Sequence, residues 1–279
     1  MKLILWLTIG LVLGPSYLSL PLPAYVASII NVAGALFLFF AGWELRFLDL
    51  RKDAVFYGKS FLGCFVFPLI VGFLVYAHNA FLAIAIAISA LPVAIQILKE
   101  KNLFNTTMGK RVVTLASLCD VCAWGLMIFV FPAENLQAWV LSHWVILAFF
   151  VGLIVGLIKP IPAISKIENL QMWVLAPAFF VGLGWKVDIV KSFSLSVFVS
   201  LFLVFIATKF VGSYWSLRWA GEDRRQSLNI ASLLNARGAM EIVAAHFALQ
   251  AGLIEGSVFS ALVLIGLVTS LMAIPIVRK

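Results

Sequence analysis

Apolar runs of about twenty residues succeed one another along this chain, each closed by a short charged or Gly/Pro-containing loop. A helix of that length crosses the roughly 30 Å hydrocarbon core of a bilayer, and in lipid only helices and closed barrels satisfy their own backbone donors and acceptors. A soluble core would interrupt such runs with polar faces. Composition agrees, because 63% of the 279 residues are apolar and 11% are charged, which leaves too little polar surface to cover a soluble globule. The expected fold is therefore all-α and polytopic, a membrane protein in one transmembrane domain, 1–279. No stretch is long or polar enough for a second, soluble domain.

Ten membrane helices are expected, at 2–14, 25–45, 56–76, 80–98, 110–131, 143–158, 172–185, 193–216, 228–250 and 257–276. The opening LILWLTIGLVLG imitates a signal peptide, but it ends in Gly14-Pro15 without a small-residue cleavage site and reads as a retained first helix. The segments after helices 2, 4, 6 and 8 carry Arg46, Arg51, Lys52, Lys59, Lys99, Lys101, Lys110, Arg111, Lys159, Lys166, Arg218, Arg224 and Arg225. Lys2, Arg278 and Lys279 join them at the termini, and the opposite loops hold only Lys186 and Lys191. The positive-inside rule then places both termini in the cytoplasm, in a multi-pass plasma (inner) membrane protein. That placement accounts for the net charge of +8 without nucleic acid or another polyanionic partner.

Ten helices divide into two fives, and an odd number per half inverts the second half in the membrane, as in many secondary transporters. In such an inverted repeat, corresponding helices should share irregularities. Helix 4 carries SALP, Ser89 to Pro92, and helix 9 carries NARG, Asn235 to Gly238; the two correspond under the five-helix shift. Pro92 removes a backbone donor and disfavours helix at Leu91, while Gly238 lowers helix propensity and Asn235 competes for backbone groups. Two such breaks would free carbonyls and half-helix ends for a cation. A packing kink at Pro92 and close approach at Gly238 are the alternative.

Four charges fall inside the expected helices away from their end turns: Asp120, Lys209, Arg237 and Glu241. A carboxylate at the centre of a membrane helix costs roughly 2.5–3.5 kcal/mol, and a chain that keeps one generally uses it. Desolvation favours its protonated form, so Asp120 can exchange a proton, and a group that alternately holds H⁺ or a small cation is the minimum for an exchanger. A buried salt bridge or a permanently protonated acid is the competing reading. Lys209 lies about 7 Å beyond the middle of helix 8, where it either meets a partner or snorkels to the interface. Arg237 and Glu241, spaced i, i+4, can pair on one face of helix 9, as a structural pair or in a substrate role.

Other signals are weaker. Glu44 sits at the inner end of helix 2, and His78 and His143 are expected at loop edges, with His246 offering no metal-ligand spacing. Cys64, Cys119 and Cys122 all lie in apolar runs, which argues against a disulfide framework. Cys119 and Cys122 form a CxxC, which without a second ligand pair reads better as small packing residues than as a metal or redox site. The chain contains no HExxH, GxSxG or phosphate-binding glycine loop, so an enzyme is not expected and no cofactor is implied.

The segments AGWEL, ALPVAIQILKEKNLFNTTMGKRVV, LCDV and LNARGAMEIVAAHFALQAGLIEGSVFSALVLIGLVTSLMAIPI together resemble the monovalent cation:proton antiporter family, the sodium/hydrogen exchangers. The similarity runs from GLVLGPS to the last helix. It implies two crossed broken helices in a core, within 56–131 and 193–276, that moves against a scaffold, within 2–45 and 143–185. By position, Asp120 matches the second acid of the family's paired-acid motif and is implied as the cation and proton carrier. Lys209 resembles the family's basic residue on the helix before NARG, Arg237 and Glu241 match the NARG-type motif, and Ser89 to Pro92 match the first crossover. Ser89, Cys119 and Asn235 complete the candidate cation- and proton-binding set.

Two departures from the family pattern stand out. Cys119 occupies the place where many relatives carry Asp or Asn, which leaves Lys209 without that acid as partner and favours one-for-one exchange through Asp120. The chain is also short for the family, lacking scaffold helices at the N-terminus and between Asp120 and AFFVGLGW. The implied function is a secondary active antiporter exchanging Na⁺ or K⁺ for H⁺ by alternating access, with the lipid bilayer as its setting and a possible homodimer. Two alternatives remain open from sequence: a non-transporting membrane subunit acting through a protein partner, and an ion-coupled organic anion transporter using Lys209 and Arg237.

Overall fold

The computed structural model describes residues 2–15, 17–18, 20–21, 23–45, 50–131, 136–158, 170–186 and 189–277. Among these residues the regular structure is helical, without a strand. The longer helices are α1 (Lys2–Leu13), α2 (Ala24–Trp43), α3 (Ala54–Val75), α4 (Ala80–Ala85), α5 (Leu91–Glu100), α6 (Thr107–Met127), α7 (Leu136–Ile158), α8 (Ala176–Lys186), α9 (Leu195–Trp219), α10 (Arg224–Asn235), α11 (Ala239–Gln250) and α12 (Gly256–Ile276), with a π-helical turn at Gln171–Leu175 before α8 and one helical turn at Ile189–Ser192 before α9. Among the described residues α3, α9 and α12 are long and apolar enough to cross a bilayer, and Ser28–Trp43, His143–Ile158 and Trp173–Trp185 are shorter apolar stretches. Of the charges that set the expected orientation, Arg46, Lys159, Lys166, Arg278 and Lys279 lie outside the described residues.

The chain divides into two compact units. One comprises Met1–Leu45, Pro132–Ser194 and Glu255–Ser260; the other comprises Arg46–Phe131, Leu195–Ile254 and Ala261–Lys279. In the first unit helix pairs approach until backbone meets backbone. A side chain at Gly184 would meet the Leu7 carbonyl of α1, and one at Gly42 or Gly152 would strike the main chain of Phe149 or Phe39, joining α2 to α7. Small residues permit this proximity, which in lipid replaces the missing hydrophobic drive between helices.

The second unit uses the same device between α3 and α9, where Gly63 and Gly212 face each other. Beside them Ser216 Oγ donates to the Ser60 carbonyl at 3.1 Å. Here α3 carries a π-helical turn, Leu62–Val66. Side chains close the helix starts: Thr106 accepts from the Gly109 amide at 3.1 Å, and Asp223 accepts from the Arg225 and Gln226 amides at 2.8 and 2.9 Å. Arg111 ties three helix ends together by pairing with Asp53 at 3.1 Å and with Glu222, its guanidinium stacked 4.0 Å from Phe56.

The expected helices 4 and 9 are each interrupted, helix 4 between Ala85 and Leu91 and helix 9 between Asn235 and Ala239. The position of the first interruption corrects the reading of Pro92. Leu91 is helical and Pro92 sits in the first turn of α5, where its missing N–H costs nothing, so the irregular segment lies upstream at Ile86–Ala90. His143 also departs from expectation: it is a fully buried residue inside α7, because the apolar pattern continues upstream of it through LQAWVL.

Candidate ion-binding site

The two interruptions meet. The Ala90 amide, at the end of the first, donates to the Ala236 carbonyl of the second at 3.2 Å. Every helix end leaves main-chain groups without intrahelical partners, and in a buried setting these must be satisfied by something else. At the end of α4 two cations from distant sequence do so. Arg237 donates to the Ala85 carbonyl at 2.9 Å and to the Ile86 carbonyl at 2.7 Å, and Lys209 Nζ donates to the Ala87 carbonyl at 2.5 Å. A positive charge at a helix C-terminus is also favoured by the partial negative charge there.

Arg237 carries further contacts. It pairs with Glu241 Oε1 at 3.0 Å and lies over the Phe205 ring at 4.4 Å. The i, i+4 pair therefore forms, but Arg237 occupies the interruption itself rather than a shared helix face. Its own main chain is held by α12: the amide donates to Thr269 Oγ1 at 3.1 Å, and Ser270 Oγ donates to its carbonyl. Gly238 follows in extended conformation, where an added Cβ would fall 2.7 Å from Val93 Cγ2 of α5. Its value here is the close approach, not a special φ.

Asp120, in the middle of α6, is completely buried. Its Oδ1 accepts from the Ser89 amide in the first interruption over a long 3.4 Å, and its Oδ2 has no hydrogen-bond partner among the described residues. Ser89 Oγ, Asn235 Oδ1 and Glu241 Oε2 are likewise buried without partners among the described residues. Unpaired buried oxygens are costly, and groups of this kind call for a water or an ion to satisfy them. Cys119, next to Asp120, places its sulfur 3.6 Å from Cys64 Sγ on α3.

The structure thus brings Asp120, Ser89, Lys209, Arg237, Glu241 and the Asn235 end of α10 to one junction, while Pro92 and Gly238 start the helices that leave it. Lys209 is fully buried and does not snorkel. Sequence reasoning missed Cys64, Phe205 and Thr269, which contact these residues across separations that carry no local pattern. Among the described residues no group of three or more His, Cys, Asp or Glu is placed to hold a metal ion.

Comparison with known proteins gives the arrangement its context. The sequence model of the family described as sodium/hydrogen exchanger, transmembrane, matches residues 2–164 and 145–279. The chain is 25% identical to the Na(+)/H(+) antiporter NhaS4 of Synechocystis sp. over 97% of its own length and 88% of that protein. It is 23% identical to Cation/H(+) antiporter 15 of Arabidopsis thaliana over 96% of its length, which is 43% of the plant protein. A Na(+)/H(+) antiporter of Enterococcus hirae is 31% identical over 48% of this chain and 36% of its own. The chain therefore spans most of the cyanobacterial relative but less than half of the other two. Its alignment to the former extends over 364 positions, so roughly ninety face gaps in this chain. The two matched segments overlap at 145–164, which puts a discontinuity in the family pattern between Asp120 and AFFVGLGW. All three relatives are named as antiporters rather than enzymes. Matched almost end to end by the family's sequence model, this chain belongs to the sodium/hydrogen exchanger family of integral membrane proteins.

Proposed function

We propose that this protein is a secondary active antiporter that exchanges a monovalent cation, Na⁺ or K⁺, for H⁺ by alternating access, with Asp120 as the site the two ions share. The carrying observation is the buried Asp120 carboxyl, one oxygen unpartnered, beside two helix interruptions that meet. Hard alkali cations favour oxygen ligands. Asp120 Oδ2, Ser89 Oγ and Asn235 Oδ1 would supply them, and either a cation or a proton neutralises the carboxylate. Binding one therefore excludes the other.

The surrounding charges support a one-for-one exchange. Lys209 donates to the Ala87 carbonyl and Arg237 is held by Glu241 and two carbonyls, so both cations have structural partners other than Asp120. Cys119 supplies no second carboxylate. The unit containing α3–α6 and α9–α11 corresponds to the moving core in this reading, and the unit containing α1, α2, α7 and α8 to a shortened scaffold, with ten spans in an inverted five-helix repeat.

Exchange in proteoliposomes across Li⁺, Na⁺, K⁺ and Rb⁺ tests the proposal. Asp120→Asn should abolish cation-driven proton movement while the protein stays folded. Undiminished exchange by that variant would sink the mechanism.

A further inference from the structure

The CxxC spacing points from Cys119 to Cys122, but the structure pairs Cys119 with a different sulfur. Cys119 Sγ lies 3.6 Å from Cys64 Sγ, and both side chains are fully buried. Cys64 sits at the centre of the π-helical turn Leu62–Val66 of α3. Cys119 adjoins Asp120, and Cys122 is only half-buried. Two thiols in van der Waals contact gain little from each other, since S–H is a weak donor and S a weak acceptor. Two sulfurs convergent on one point are, however, the donor set that soft d¹⁰ monovalent cations select.

We propose that Cys64 and Cys119 form a two-sulfur site for a soft monovalent cation of the Cu(I) or Ag(I) type, placed beside the alkali-cation site. Two thiolates complete a linear site, so a third protein ligand is not required. With metal–sulfur bonds near the ~2.3 Å of zinc thiolates, the sulfurs must part by roughly 1 Å from their present contact. The π turn is where α3 holds an extra residue, and such turns recur at functional positions because the helix there can be wound more loosely or more tightly.

The chemistry balances without a redox partner. One M⁺ replaces two thiol protons, giving a bis-thiolate complex of charge −1 and two released H⁺. Lys209 Nζ is buried at the Ala87 carbonyl, two residues before the Ser89 amide that meets Asp120, and its charge would offset part of that −1. The consequence for transport rests on the Asp120 reading: a metal held one residue from Asp120 would block exchange. Metal binding itself does not rest on it.

The test is competitive titration of the purified full-length protein with Cu(I) buffered by bathocuproine disulfonate, in anaerobic detergent solution. Wild type and Cys122→Ser should each take up one Cu(I) per chain, with two sulfur scatterers in the X-ray absorption spectrum. Cys64→Ser, Cys64→Ala and Cys119→Ser should lose Cu(I) to bathocuproine disulfonate at concentrations where wild type holds it, while eluting as folded protein. Absence of uptake by wild type, or uptake that survives loss of Cys64 or Cys119, would overturn the proposal, as would equal dependence on Cys122. In proteoliposomes, Ag⁺ should inhibit wild type and spare Cys64→Ser. Should Asp120→Asn exchange normally, the transport reading falls while the Cu(I) titration still decides the metal site.

Discussion

Replacing Arg237 by Met should be among the most destabilising single changes available to this protein. The guanidinium is buried and meets three acceptors: Glu241 Oε1, the Ala85 carbonyl and the Ile86 carbonyl. Met keeps most of the volume over Phe205 but leaves Glu241 as an unpaired buried carboxylate, a change that costs about 3–5 kcal/mol in comparable sites. Each orphaned carbonyl adds about 1–3 kcal/mol. One guanidinium serves all three acceptors, so these figures do not add. A net loss of at least ~3 kcal/mol follows, read as equilibrium unfolding in mixed micelles. The double variant Arg237→Met, Glu241→Gln removes the lone charge and should recover part of that loss, leaving the share due to the carbonyls. Arg237→Lys should rescue incompletely, because an ammonium cannot reproduce the planar fork that reaches several acceptors at once. A single variant within ~1 kcal/mol of wild type, or a double variant no better than the single, would refute this account of the junction.

Gly63→Val should cost about 1–3 kcal/mol by driving a side chain into the Gly212 main chain, and an unchanged unfolding midpoint would show that α3 and α9 do not depend on that approach. Arg111→Met should cost about 3 kcal/mol, because it strands the buried Glu222 carboxylate, while the share due to the well exposed Asp53 is small and should shrink at high salt. Asp223, an exposed cap, is held below the usual carboxylate range by the Gln226 and Arg225 amides. Its contribution is complete above the ordinary Asp value and fades as pH falls through the lowered one. Asp223→Asn should therefore flatten the acid limb of the stability profile between about pH 5 and pH 2, with little change near neutrality.

The broken helices were legible because their causes are local. SALP and NARG each place residues that weaken a helix inside an apolar run, and both runs do break there, although Pro92 opens the second segment instead of closing the first. The burial of Asp120 in the middle of α6 was legible for an equally local reason, its place at the centre of a long apolar run. Partners were not. Lys209 meets a main-chain carbonyl 122 residues away, and Cys119 meets Cys64 across 55, and neither separation leaves a periodic trace in the sequence. The CxxC pattern, read as packing residues, gave no sign of the Cys64 contact, because i, i+3 spacing guarantees proximity along a helix but says nothing about what the opposing helix presents. His143 was misplaced by a boundary error of the ordinary kind, an apolar run that continues through one polar residue.

At the junction, Arg237 and Lys209 recognise Ala85, Ile86 and Ala87 only through oxygen atoms that every amino acid possesses. The side chains of those three residues face a fully packed interior. Their identities are then constrained by volume and not by chemistry. Codon randomisation at 85–87 should return apolar residues close to the present volumes, small at 85 and 87 and larger at 86, whereas randomisation at 209 and 237 should return almost nothing but the original letters. The specificity of this crossing is written in the residues that do the reaching, and the stretch they reach for is mute.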